Sequence, residues 1–175
     1  MKTLYIVRHC KSEGQQADAP LTAEGLAQSE RLSDLLADAH IERIISSPYV
    51  RAKDSIVPLS KRLNLQIELD TRLVERVLCA GFNNWQKHLE TSFQNLDFCL
   101  AGGESSRAAM QRIVSVVEDI QCHSSQITLL VTHGNLMALL LKYFDNAVGF
   151  TEWQNLTNLD VYRINLTQPP QVQRL

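Results

Sequence analysis

Along the chain, short apolar runs rich in β-branched residues alternate with longer stretches in which apolar residues return every third or fourth position. Lys2 to Val7 reads as a short strand, ended by Arg8 and His9 at the head of a polar run that continues to Asp18. Pro20, Leu21 and Thr22 form a helix entry with Thr22 as N-cap, and Leu26, Leu32, Leu35 and Leu36 make an apolar stripe behind it. A second strand follows at Arg43 to Ile45, then Ser46, Ser47 and Pro48 open a helix to about Leu63. Gln66 to Leu69 reads as a third strand. From Asp70 to Gly103 the periodicity fails, and Gly81, Asn83, Asn84 and Trp85 imply a long, partly ordered excursion. Phe82 and Trp85 within it either line a substrate pocket or form a local hydrophobic cluster.

Helical spacing returns from Glu104 to Ile120 through Met110, Ile113, Val114 and Val117, with Glu104 and Ser105 beginning and capping that helix. Ile127 to Val131 is a nearly continuous apolar run of the kind buried in a parallel sheet, and a helix from Asn135 to Phe144 follows directly. Leu159 to Ile164 reads as one more strand, and the polar tail after Gln168 as a surface or edge segment. Repeated strand and helix alternation implies an α/β fold, a three-layer α/β/α sandwich, in one domain over residues 1–175.

Composition narrows the function without naming it. Of the 175 residues, 45% are hydrophobic and 21% charged, enough to bury a core and unlike a disordered tail. Lys plus Arg number 17 against 19 for Asp plus Glu, so the basic excess of a non-specific nucleic-acid binder is absent and any functional positive charge must be local. No apolar run approaches the length of a membrane helix, which makes a soluble cytoplasmic protein the expectation. Cys10, Cys79, Cys99 and Cys122 lack metal-site or redox spacing and read as thiols, and His9, His40, His88, His123 and His133 do not pair at zinc-site spacing. Metal-free chemistry without a cofactor is therefore expected.

In open α/β sheets ligands bind beyond the carboxyl ends of the strands, so the residues just after each predicted strand are where chemistry belongs. Arg8 and His9 follow the first strand, Ser46, Ser47 and Pro48 lead from the second to Arg51, and Thr132, His133 and Gly134 follow the apolar run. Two arginines and two histidines meeting there, beside helix N-termini, would form a compact pocket for a dianionic phosphoryl group. Arg8 and Arg51 would disfavour a further positive charge, leaving an imidazole between them neutral and nucleophilic. Glu75, in the segment Arg72 to Arg76, is the candidate proton donor for the leaving oxygen, with Asp70 as an alternative; Arg76 could instead pair with Glu75 as an ion pair.

Six ordered pieces carry a resemblance: R-H-C-K-S at Arg8 to Ser12, P-L-T-x-x-G at Pro20 to Gly25, S-S-P-x-x-R-A at Ser46 to Ala52, Leu73 to Glu75, G-G-E-S at Gly102 to Ser105, and T-H-G at Thr132 to Gly134. Together they resemble the histidine phosphatase superfamily, the phosphoglycerate-mutase-like group. The resemblance implies a mixed, mostly parallel sheet and metal-free phosphoryl transfer through a phosphohistidine at His9. It further implies Arg8, Arg51 and His133 as phosphate ligands, His133 and Glu75 in the catalytic set, and Glu75 as general acid and base. Two departures stand out: Cys10 occupies a position where the family usually has Gly, and Gln15 stands where an Asn commonly donates to phosphate.

The expected activity is a phosphomonoesterase acting on a small phosphorylated metabolite, with no nucleic-acid or membrane partner; the sequence gives no oligomeric state. A phosphoglycerate-type mutase, a phosphoprotein (phosphohistidine) phosphatase and a non-catalytic phosphoryl-binding module are the alternatives. The short segment between Gln15 and Pro20 leaves little room for the longer substrate-binding segment of the family's mutases, which favours hydrolysis. Cys10 beside His9 also raises a redox switch, against the simpler reading of a small tolerated residue.

Overall fold

A computed structural model describes residues 2–78 and 84–175. Six strands form one sheet in the order β3-β2-β4-β1-β5-β6, with β1 at Thr3–Arg8, β2 at Arg43–Ser46, β3 at Ile67–Leu69, β4 at Ile127–Thr132, β5 at Val161–Asn165 and β6 at Gln171–Arg174. The first four in that order pair parallel, whereas β1–β5 and β5–β6 pair antiparallel, so the sheet is mixed and mostly parallel as expected. Strand alternation separates two cores. Tyr5, Val7, Ile44, Leu129 and Val131 face α1 (Ala23–Leu35) and α2 (Val50–Leu63), while Leu4, Ile6, Ile45 and Leu130 face α4 (Ser106–Cys122) and α5 (Gly134–Phe144). Helices therefore cover both faces of the sheet.

Helix α1 is rotated away from the expected stripe. Leu32 and Leu36 are buried, but Leu26 and Leu35 are 56% and 54% exposed, and Gly25, Gln28 and Ser29 turn inward instead. The loop after β1 decides this orientation. A Cβ on Gly25 would lie 2.0 Å from the Lys11 carbonyl oxygen, so only glycine lets helix and loop approach this closely. Gln28 Oε1 then accepts the Lys11 N–H at 2.8 Å.

The region without clear periodicity contains α3 (Trp85–Gln94), whose Leu89, Ser92 and Phe93 are buried. Trp85, Leu89 and Phe93 recur every fourth residue, but the polar run between them hides that signal. The pattern also does not predict the short α6 (Phe150–Gln154). Leu159 lies before β5 with φ at +72°, a conformation no strand contains, which moves that strand's start to Val161. The polar tail is an edge strand, β6, with all four residues exposed. Ser105 caps α4 as expected, its Oγ accepting the Ala108 N–H at 3.1 Å. Cys79, Gly81, Phe82 and Asn83 lie outside the described residues.

Candidate active site

The sheet register brings the site together before any side chain is considered. Arg8 at the end of β1 is aligned with Thr132 at the end of β4, and Ser46 at the end of β2 is aligned with Val131. His9, Ser47 and His133 each follow one of these ends, and Arg51 sits in the first turn of α2. All four are buried.

Arg51 is the hub. Its Nε donates to His9 Nε2 at 3.2 Å and its Nη2 lies 3.2 Å from His133 Nδ1, while Nη1 donates to the Gln15 and Gln16 carbonyls at 3.0 and 2.7 Å. A guanidinium has donors and no acceptor, so both facing ring nitrogens must carry lone pairs. The other nitrogens then hold the protons: His9 Nδ1–H donates to the Cys10 carbonyl at 2.7 Å, and His133 Nε2–H donates to Ser47 Oγ at 2.8 Å. The network thus assigns both tautomers and leaves both imidazoles neutral.

Electrostatics agrees with that assignment. Burial, reinforced by the Arg51 and Arg8 guanidiniums, pushes the His9 imidazole down to about 4, although its bond to the Cys10 carbonyl opposes the shift. Burial, then His9 and the nearby arginines, hold His133 well below the ordinary histidine range. The two rings stand edge to face with centroids 5.1 Å apart. Tyr49 closes the other side, 5.0 Å from the His133 ring and 4.9 Å beneath the Arg51 guanidinium.

Arg8 reaches the same pocket from the opposite flank. Its Nη1 donates to the Leu156 carbonyl at 2.8 Å, but its buried Nε has no partner among the described residues. A Cβ on Gly134 would come within 3.2 Å of the Arg8 Cζ and Nε, so glycine at the start of α5 lets the guanidinium lie against the helix N-terminus. Asn135 Nδ2 is a second buried donor without a partner. A cationic flank with two unsatisfied buried donors is chemically suited to an anion.

Glu75 faces the N-terminus of α5. Oε2 accepts the Asn135 N–H at 3.1 Å, and Oε1 accepts those of Leu136 and Arg76 at 3.2 and 2.9 Å. Oε1 is thereby fully engaged, and Oε2 retains a lone pair that can carry a proton. Arg76 does not pair with this carboxylate at the surface. Its buried guanidinium turns to Ser92 Oγ and Ser106 Oγ at 2.9 and 2.8 Å and to the Glu104 carbonyl at 2.9 Å. Asp70 is occupied elsewhere, capping the single 3-10 turn Thr71–Leu73 and pairing with Arg72.

The two departures resolve geometrically. Cys10 is fully buried and its backbone has no positive φ, so the position does not demand glycine. Its N–H donates to Ser55 Oγ at 2.7 Å, and burial pushes the thiol up, away from the reactive thiolate. Gln15 has an exposed side chain and meets the site through its carbonyl on Arg51. Trp85 stacks edge-on against Trp153 of α6, with centroids 6.0 Å apart, as part of a local aromatic cluster.

Ser47, Ser55 and Asn158 also support the site and have no role assigned from the sequence. Ser47 lies inside the S-S-P-x-x-R-A motif and immediately after a strand, so its position is a usable signal. Asn158, whose Nδ2 donates to the His9 carbonyl at 3.1 Å, has none. No helix among the described residues is long and apolar enough to cross a membrane.

Fold and site together define a phosphoglycerate-mutase-like α/β sandwich with a buried histidine and arginine pocket at its parallel strand ends. Over residues 4–172 the chain matches the histidine phosphatase superfamily (branch 1), and it belongs to that family. A Hydrogenobacter thermophilus protein named "Putative phosphoserine phosphatase 2" is 27% identical, covering 96% of this chain and 89% of that one. A Proteus mirabilis protein named "Probable phosphoglycerate mutase" is 25% identical over 97% of this chain and 87% of its own length. The mycobacterial glucosyl-3-phosphoglycerate phosphatase, solved with VO3, shares the fold with a TM-score of 0.80 and 22% identity, covering 100% of this chain and 98% of that one.

Proposed function

We propose that the chain, acting as one unit over residues 1–175, is a metal-independent phosphomonoesterase working through a phosphohistidine at His9. The assigned tautomer carries this reading: a neutral, buried imidazole presents its Nε2 lone pair to the Arg51 guanidinium. A phosphoryl dianion entering the pocket exchanges with the Arg51–His9 contact, so that Arg8 and Arg51 donate to its oxygens, and His133 joins them by turning its Nε2–H from Ser47 Oγ to a phosphoryl oxygen. His9 Nε2 attacks phosphorus as the bond to the ester oxygen breaks, and Glu75, in its acid form, gives that oxygen its proton. Water then attacks the phosphohistidine, Glu75 takes the water's proton, and the P–N bond breaks to return the lone pair to His9. Gln15 contributes to phosphate binding by swinging its exposed amide inward.

The substrate is a small phosphorylated metabolite; relatives named for phosphoserine and glucosyl-phosphoglycerate support that class. The relative named as a mutase supports a second reading, in which the phosphoryl group returns to bound substrate. Incubation with phosphoglycerates and phosphoserine, scoring phosphate release against isomerisation, separates the two. Phosphate release without isomerisation is expected, and isomerisation as the main product overturns hydrolysis.

A further inference from the structure

Glu75 belongs to a segment that has no sheet ladder to hold it, yet both of its flanks are tied to the two residues of one ion pair, to the Arg112 side chain before it and to the Glu104 main chain after it. Before it, the Arg72 carbonyl accepts from Arg112 Nη1 and the Leu73 carbonyl accepts from Thr132 Oγ1. After it, the Glu104 carbonyl accepts from Arg76 Nε at 2.9 Å and the Glu104 N–H donates to the Val77 carbonyl at 2.7 Å. Arg112 and Glu104 are themselves joined through a two-bond fork, Nε to Oε1 at 2.7 Å and Nη2 to Oε2 at 2.9 Å.

We propose that the Arg112–Glu104 pair is a positioning device for Glu75, setting where its proton is delivered; this rests on the reading of Glu75 as proton donor. Neither side chain touches the phosphate pocket through any hydrogen bond described above. Their influence passes through the Arg72 carbonyl, three residues before Glu75, and through the Arg76 side chain and the Val77 carbonyl after it, both of which bond to the main chain of Glu104. The pair is mostly shielded, with side chains 18% and 23% exposed, so its fork is a firmer constraint than a solvated pair. The Asp97–Arg107 pair, whose arginine is on the same helix as Arg112, offers a contrast: its side chains are 66% and 52% exposed, and its fork makes no bond to the Glu75 segment.

A misplaced proton donor has a signature that a general loss of structure lacks. Phenyl phosphate needs its leaving oxygen protonated more than p-nitrophenyl phosphate does, and the two differ little in shape. Arg112→Met is expected to lower kcat on phenyl phosphate by on the order of 10²-fold, with a far smaller effect on p-nitrophenyl phosphate and on KM. Glu75→Gln should show the same split, Arg107→Ala should show none, and adding Arg112→Met to Glu75→Gln should cause little further loss. If Arg112→Met does not fold, Glu104→Gln, which loosens the fork and keeps the arginine, is read in the same way. Equal losses on both substrates, with the split intact in Glu75→Gln, overturn the positioning role alone. Absence of the split in Glu75→Gln overturns Glu75 as proton donor, and the positioning role falls with it.

Discussion

The two halves of the pocket are built by different means. On the phosphate side, Arg8, His9, Ser47 and His133 leave adjacent strand ends whose separation is set by ladder hydrogen bonds, and Arg51 needs only the first turn of α2 to reach them. On the proton-donor side, Glu75 sits in an irregular segment held by side chains from β4, α3 and α4. Strand ends give a cradle whose geometry follows from the fold itself. The donor arm depends on several distant residues agreeing, which makes it the half that can be retuned without disturbing phosphate binding.

Substitutions should distinguish the halves by what they do to different leaving groups. Arg51→Met removes the hub of the cradle, and a loss on the order of 10³-fold is expected on every phosphomonoester, good leaving group or poor. A loss confined to poor leaving groups would place Arg51 on the wrong side of the comparison. Glu75→Gln should cost at least about 10²-fold on poor leaving groups and far less on p-nitrophenyl phosphate. Ser47→Ala removes one bond to His133 while Arg51 still holds the other ring nitrogen, so roughly a tenfold drop is expected, with no leaving-group dependence.

Acidity tests the cradle through stability. Below the ordinary histidine range the unfolded chain takes up a proton at His9 while the folded chain stays neutral, so the folded state loses stability as pH falls. That loss should run from about pH 6.5 to about 4, where folded His9 itself protonates, and amounts to roughly 3 kcal/mol from His9 alone. His133 adds to it in the same direction. Urea unfolding of His9→Asn across this range should show a shallower decline, and an unchanged slope would contradict a neutral buried His9. The smallest effect belongs to Cys10. Cys10→Ser should leave both turnover and sensitivity to peroxide as in the parent, whereas protection by the substitution would reinstate a thiol switch.

Legibility in the sequence follows the same division. Strand ends are announced by apolar runs that stop abruptly, so Arg8, His9 and His133 could be placed from pattern alone, and Arg51 from the helix entry beside Ser47. Glu75 is a candidate from its position after β3, but nothing in the sequence points to the residues that hold it. Glu104 and Arg112 lie 29 and 37 residues further along the chain, and nothing in helical periodicity marks a side chain that turns to a distant carbonyl. The rotation of α1 was hidden for a related reason. Gly25 and Gln28 face inward to meet a loop, and a stripe of leucines says only which face is apolar.

The central claim is that His9 Nε2 carries the phosphoryl group between substrate and water. Rapid-quench labelling with a phosphorus-labelled phosphomonoester tests it most directly, using wild type and a folded His9→Ala protein side by side. The account predicts an acid-labile, base-stable phosphoenzyme in the wild type, at up to one per chain, and neither label nor turnover in His9→Ala. Turnover retained by His9→Ala, or label that survives acid, would contradict it.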